Sequence, residues 1–266
     1  MLDTLFLSAK TLLKKPSLLG IPIVVALLLL LILFLVGDLL VGLLVDTIFL
    51  GIVPETGFLE FPWHLYTQYS LHFNVLALVA LIVTIIFVWQ SIFFASYAKE
   101  SYGRERAKIF DAAKEANKQL KKIIALVIFF FVIAIFLLVL FWLIVNATIP
   151  LGAIGIIFPI LFLILAYFLY IVLAFVVPII AIEKAPLKEA ISKSFDFVSK
   201  RFWQVVLLGI IVWIISGILF EAGDRLSGLV QEETIGMIIF LLFWAVGVSY
   251  SALVLPIYYL RNSIGR

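Results

Sequence analysis

The sequence predicts an all-α polytopic membrane protein: a helical bundle of six transmembrane helices in three hairpins, with amphipathic interfacial helices on the cytoplasmic side. Three observations carry this. First, 65% of the 266 residues are hydrophobic and the mean hydropathy is +1.28, whereas a soluble domain sits near 45–50% apolar. Second, six stretches reach the roughly 20 apolar residues that a hydrocarbon core requires. Third, the few charged residues, 13% of the chain, are clustered between those stretches.

The stretches are Leu18–Val36, Val75–Phe94, Ile123–Val145, Ile156–Ile182, Val205–Phe220 and Ile235–Leu260. The first is read as an uncleaved span, because its apolar run is too long for a signal peptide and no small-residue cleavage site follows. The fifth is short before Glu221, and Phe202 and Trp203 suit an interface, so its helix is expected to begin at Phe202.

Cations set the orientation. With the N-terminus inside, segments 1–16, 97–122, 183–203 and 261–266 hold 3, 8, 5 and 2 Lys/Arg, which is 18 of 19. Only Arg225 lies outside. The acidic residues divide evenly, so the bias is in cations alone, as the positive-inside rule describes. Both termini are expected to be cytoplasmic in a multi-pass cell-membrane protein.

Each odd-numbered span is preceded by an amphipathic segment. Before the fifth, Leu187, Ala190, Ile191, Ser194/Phe195, Val198 and Phe202 recur at helical spacing, with Lys188, Lys193, Lys200 and Arg201 beside them. Before the third come Ile109, Ala113, Ala116, Leu120 and Ile124. Before the first come Leu2, Leu5/Phe6, Ala9 and Leu12/Leu13, closed by Lys14-Lys15-Pro16. A shift of 79 lays Lys114, Lys121 and Lys122 on Lys193, Lys200 and Arg201. The chain therefore reads as one membrane domain built of pseudo-repeats 1–96, 97–182 and 183–266. Pro178 and Pro256, each five residues before the next charge, are expected to bend the returning fourth and sixth helices.

Ala185-Pro186-Leu187-Lys188-Glu189-Ala190, Ser194 and Lys200-Arg201-Phe202-Trp203 resemble a pattern in uncharacterised six-span membrane families, similar to the membrane domain of bacterial glycerophosphoryl diester phosphodiesterases. The resemblance implies the six-span layout. It implies no hydrolysis, since these 266 residues leave no stretch for the soluble catalytic domain.

The polar residues narrow the function. Charge at bilayer depth marks pumps and ion-coupled transporters, and the spans carry essentially none. They carry Thr84, Gln90, Ser91, Asn146, Tyr167, Tyr170, Ser216, Ser249, Tyr250 and Ser251. No catalytic motif is present, no cofactor is implied, and with no cysteine there is neither a disulfide nor a thiolate site. Scarce Met, Asn and Gln suggest a hyperthermophile source.

Loop 46–70 holds Glu55, Glu60, Trp63, His64, Tyr66 and Tyr69, with His72 following. Its spacing fits an aromatic belt better than a metal site, and no metal is expected. Asp38, Gly42 and Asp46 lie four apart on one expected helix face. Glu221 and Arg225 are placed to pair, and Asn146-Ala147-Thr148 lies too close to the membrane edge to be a glycosylation site.

The small residues of Gly247-x-x-x-Ser251 and Ala245-x-x-x-Ser249 suit close helix contact, within the chain, in a homo-oligomer or with a membrane partner. The expected partners are membrane lipids, anionic ones included, and not nucleic acid. Lys114, Lys121, Lys122, Lys193, Lys200 and Arg201 are the expected headgroup ligands. The leading function is a non-enzymatic lipid-organising or lipid-sensing protein, or a scaffold. The alternative is a channel or carrier for a neutral or apolar solute, lined by Gln90, Asn146, Tyr167, Tyr170 and Tyr250.

Overall fold

A computed structural model describes residues 1–44, 70–102, 107–148, 152, 155–230 and 232–263. Within helices, the side chains of Leu33, of residues 38–44 and of residues 71–73 are not described. The sequence readings on Asp46, Glu55, Glu60, Trp63, His64, Tyr66 and Tyr69, and on the side chains of Asp38 and His72, lie outside the described residues.

The fold is all-α. In chain order the helices are α1 (Leu2–Lys14), α2 (Gly20–Leu44), α3 (Ser70–Ser101), α4 (Ile109–Lys118), α5 (Leu120–Thr148), α6 (Ile157–Ala174), α7 (Val176–Glu183), α8 (Leu187–Ser199), α9 (Phe202–Gly228) and α10 (Glu233–Ser263), with a 3-10 turn Pro16–Leu19 before α2. Among the described residues six helical stretches are long and apolar enough to cross a membrane, the fourth formed by α6 and α7 together. Only 11–33% of each span's most apolar window is buried within the protein, so most of that surface needs an apolar solvent.

Several boundaries follow local chemistry. Pro178 has no N–H for the carbonyl four residues back, and the helix breaks at Phe175, between α6 and α7. The matching Pro256 lies inside α10, which runs on through it. Helix α9 begins at Phe202 and continues past Glu221, so Arg225 Nε reaches Glu221 Oε1 at 2.7 Å. Helix α7 closes on Lys184 in the left-handed conformation (φ 60°), whose N–H bonds to the Ile180 carbonyl.

The chain divides into two compact units. One comprises residues 27–86 and 127–167 and the other residues 1–26, 87–126 and 168–266. In the first, polar side chains turn back on their own helices: Thr84 bonds to the Ala80 carbonyl, Asn146 to Trp142 and Thr148 to Ile144. Phe141 and Phe162 pack with ring centres 5.8 Å apart. Gly155 lies against Thr148, where an added Cβ would fall 2.0 Å from the Thr148 carbonyl oxygen.

The second unit holds the densest core. Leu18, Phe93, Phe94, Tyr97, Ile123, Leu126, Phe175, Ile179, Leu208 and Tyr258 are buried there. Phe197 packs against Phe175, Tyr258 and Tyr259 with ring centres 5.0–6.0 Å away. Such ring pairs each contribute about 0.5–1.5 kcal/mol beyond their buried area. The hairpin of α9 on α10 is its largest helix contact, and α1 lies along α10.

The short helices α1, α4 and α8 all bury small side chains. Thr4 and Ser8, Ala112 and Ala116, and Ala190 and Ser194 are each four apart and fully inaccessible. Small residues on one face let helix backbones come close. The large apolar residues that gave these segments their stripes often point elsewhere: Leu2, Phe6 and Leu13 of α1 are 66%, 76% and 83% exposed. At about 100° per residue those three share one side of α1, while Asp3, Lys10 and Lys14 share another. Helix α1 thus has three faces: small residues toward protein, large apolar residues outward, and charge. Phe110 on α4 and Phe195 on α8 are exposed in the same way.

The small pairs also fix a register. A shift of 186 lays Thr4, Ser8 and Lys14-Lys15 on Ala190, Ser194 and Lys200-Arg201. From the second small residue to the basic pair is six residues in α1 and α8, but five from Ala116 to Lys121. The shift of 79, which superposes the basic pairs, is therefore one residue out for the buried faces.

Candidate functional site

The basic ends of the helices lie within the second unit, and their polar groups form two sets. The first set is structural. A helix leaves its last carbonyls without intrahelical partners, and two lysines from elsewhere supply them at the end of α7. Lys99 Nζ, from α3, donates to the Ile182 carbonyl at 2.6 Å. Lys122 Nζ, from α5, donates to the Lys184 carbonyl at 2.6 Å and to that of Ala185 at 3.3 Å. A cation at a helix C-terminus is also favoured by the helix dipole.

Glu183 joins three helices. Its carboxylate accepts Lys193 Nζ of α8 at 2.6 Å and the Tyr259 hydroxyl of α10. Lys193 also meets Glu189 at 2.7 Å, and these two carboxylates push its ammonium above the usual lysine range. Arg201 lies over the Phe197 ring, 4.9 Å from its centre, and donates to the Asn262 carbonyl at 3.3 Å. Arg261 pairs with Asp3 at 2.6 Å, Tyr258 donates to Gln204 at 2.9 Å, and the Ser194 hydroxyl donates to the Val172 carbonyl.

The second set surrounds a cleft of about 370 Å³ bounded by Ser96, Lys99, Glu100 and Tyr102 of the α3 end, Glu115 of α4, and Ala181 and Lys184 of the α7 end. Lys184 Nζ pairs with Glu115 Oε1 at 2.8 Å, and Lys118 stands 3.9 Å from the other oxygen. The Lys184 hydrogen bond holds the Glu115 carboxyl below the usual range.

The six predicted headgroup ligands divide. Lys122, Lys193 and Arg201 are engaged inside the protein as described. Lys114, Lys121 and Lys200 are exposed and make no ion pair among the described residues. The five predicted pore residues differ in exposure. Gln90 and Tyr250 are buried, Asn146 is occupied by its own helix, and Tyr167 and Tyr170 are 49% and 67% exposed on α6. Neither amide atom of Gln90 has a hydrogen-bond partner among the described residues, and the same holds for Gln119.

Sequence reading missed the cleft. Its charged residues come from three segments, and only the fold brings Lys99, Glu115 and Lys184 together. The available signal was Ser96 beside Lys99-Glu100 at the end of an apolar run. Among the described residues no group of His, Asp and Glu is placed to hold a metal ion. Comparison with family models, curated proteins and solved structures finds no match for this chain.

Proposed function

We propose that the protein is a non-enzymatic, multi-pass membrane protein that gathers anionic lipid at its basic end, with that end and both termini cytoplasmic. The observation that carries this is the pairing, on the short helices and at their ends, of outward apolar side chains with cations that make no ion pair among the described residues. Leu2, Phe6 and Leu13 adjoin Lys10 and Lys14, Phe110 adjoins Lys114, and Trp203 adjoins Lys200, all exposed. Such a helix lies in the headgroup plane with its apolar side toward the acyl chains and its cations at the phosphates. Each surface cation near anionic lipid is worth about 1 kcal/mol. The organisation into three repeats, and the resemblance to six-span families, accord with this reading.

The test is lipid retention. Protein purified from mixed micelles of phosphatidylglycerol and phosphatidylcholine should carry excess phosphatidylglycerol. The Lys114→Gln/Lys121→Gln/Lys200→Gln variant should lose most of that excess, since three cations at about 1 kcal/mol each set a ceiling near 100-fold. Unchanged enrichment rejects the reading.

A second reading has one observation in its favour. The buried, unpartnered amide of Gln90 is the kind of group that meets a polar solute. A carrier for a neutral solute would show flux in proteoliposomes that Gln90→Leu abolishes, and no flux of any small neutral solute counts against it.

A further inference from the structure

The cleft between the ends of α3, α4 and α7 has the make-up of a ligand site distinct from the exposed cations. We propose that it binds a compact zwitterion, a primary ammonium and an anionic group a few bonds apart, such as the phosphoethanolamine unit of a lipid headgroup or its free counterpart.

The charge pattern supports this. Lys99 and Lys184 face the cleft together with Glu100 and Glu115, so groups of both signs line it. A simple anion would leave the open oxygen of Glu115 unserved and a simple cation the spare N–H groups of Lys99 and Lys184, whereas a zwitterion satisfies both signs at once. Donor capacity remains. An ammonium carries three N–H donors, and Lys99 directs one at the Ile182 carbonyl while Lys184 directs one at Glu115. Glu115 accepts Lys184 on Oε1 and has only a long contact on Oε2, leaving room for an incoming N–H.

Ser96 supplies an independent sign. It lines the cleft, is only 2% exposed, and its hydroxyl has no partner among the described residues. A buried polar group without a partner is uncommon and calls for a ligand or ordered water. The volume, about 370 Å³, falls in the range of small-molecule sites. A primary ammonium adds N–H donation to its attraction for the carboxylates, so a quaternary ammonium, which has no N–H, should bind more weakly.

The experiment uses the full chain in detergent and reads the shift of its thermal-unfolding midpoint. Four additions are compared: phosphatidylethanolamine, phosphatidylcholine, phosphatidylglycerol and soluble phosphoethanolamine. Phosphatidylethanolamine, soluble phosphoethanolamine or both should raise the midpoint more than phosphatidylcholine does. A response to the lipid alone identifies the membrane as the source, and a response to the soluble compound identifies a free ligand. Glu115→Gln and Ser96→Ala should each raise the half-saturating concentration at least tenfold, while Lys114→Gln, outside the cleft, should not. Ser96→Ala deletes a hydroxyl that bonds to nothing described, so it keeps the test decisive if Glu115→Gln folds poorly. Equal responses to all three lipids with none to phosphoethanolamine, or ethanolamine responses unchanged in both cleft variants, overturn the proposal. A phosphatidylglycerol response lost in the triple lysine variant concerns only the exposed cations, so the two readings fail separately.

Discussion

Removing the Tyr259 hydroxyl should be among the costlier single-atom changes in this protein. Tyr259 is buried on α10 and donates to Glu183 at the end of α7, whose side chain is 27% exposed. A hydrogen bond to a charged acceptor contributes about 1.5–3 kcal/mol. Tyr259→Phe should cost that much, because the carboxylate stays in place with one donor fewer. At about 2–4 °C per kcal/mol for a chain of 150–250 residues, the thermal midpoint in detergent should fall by about 3–12 °C. Glu183→Gln keeps an acceptor for Tyr259 but loses the charge assistance, which roughly halves such a bond, and gives up the ion pair to Lys193 as well, so its fall should be at least half as large. The two changes share the Tyr259–Glu183 bond, so the double variant should fall short of the summed losses by at least about 0.5 kcal/mol, the Lys193 contact being lost from Glu183→Gln in either background. Parallel melts followed by near-UV circular dichroism measure all four proteins. A Tyr259→Phe shift below 1 °C, or strictly additive losses, would refute the reasoning that Glu183 clamps α7 to α10.

Other expectations concern packing and charge. An alanine Cβ at Gly223 would lie 2.7 Å from Phe243 Cβ, whereas one at Gly247 meets nothing nearer than 3.7 Å. Gly223→Ala should therefore destabilise the α9–α10 hairpin by about 1–3 kcal/mol, while Gly247→Ala should be neutral or gain up to about 1 kcal/mol of helix propensity, both read from thermal midpoints. Gln119→Leu should be neutral or stabilising, since an unpartnered buried polar group costs about 1–3 kcal/mol; a marked loss would mean that the amide is in use. The depressed carboxyl of Glu115 contributes stability that is complete above the ordinary carboxylate range and is lost as pH falls through its folded value. Acid titration of the melting point should accordingly show a larger drop below about pH 4 for the parent than for Glu115→Gln.

Hydropathy made the six long helices legible, because partition between water and hydrocarbon depends on composition over a whole segment. It also placed the start of α9 at Phe202, and helical spacing gave the Glu221–Arg225 pair. Contacts that depend on which face meets protein were less visible. The apolar stripe of α1 runs through Leu2, Leu5/Phe6, Ala9 and Leu12/Leu13, yet of these only Leu5 and Leu12 are buried, beside Thr4 and Ser8. An apolar stripe looks the same in sequence whether it meets lipid or protein. Lysines posed a similar ambiguity: Lys121 and Lys122 are adjacent and chemically identical, but the helix turn exposes the first and sends the second to the carbonyls at 184 and 185. Gly223 and Gly236, which lie against Phe243 and Ser227, form no spaced motif because their partners are on the facing helix.

Lys184 illustrates how tightly a single position can be constrained. Its backbone turns left-handed, its carbonyl receives Lys122 and its ammonium reaches Glu115. Glycine would relax the turn and forfeit the charge. Arginine would keep the charge, but its planar fork is not a substitute for a compact ammonium. Substitution at this site is thus hemmed in from opposite directions, and engineers seeking a hardier version of the protein should leave it untouched.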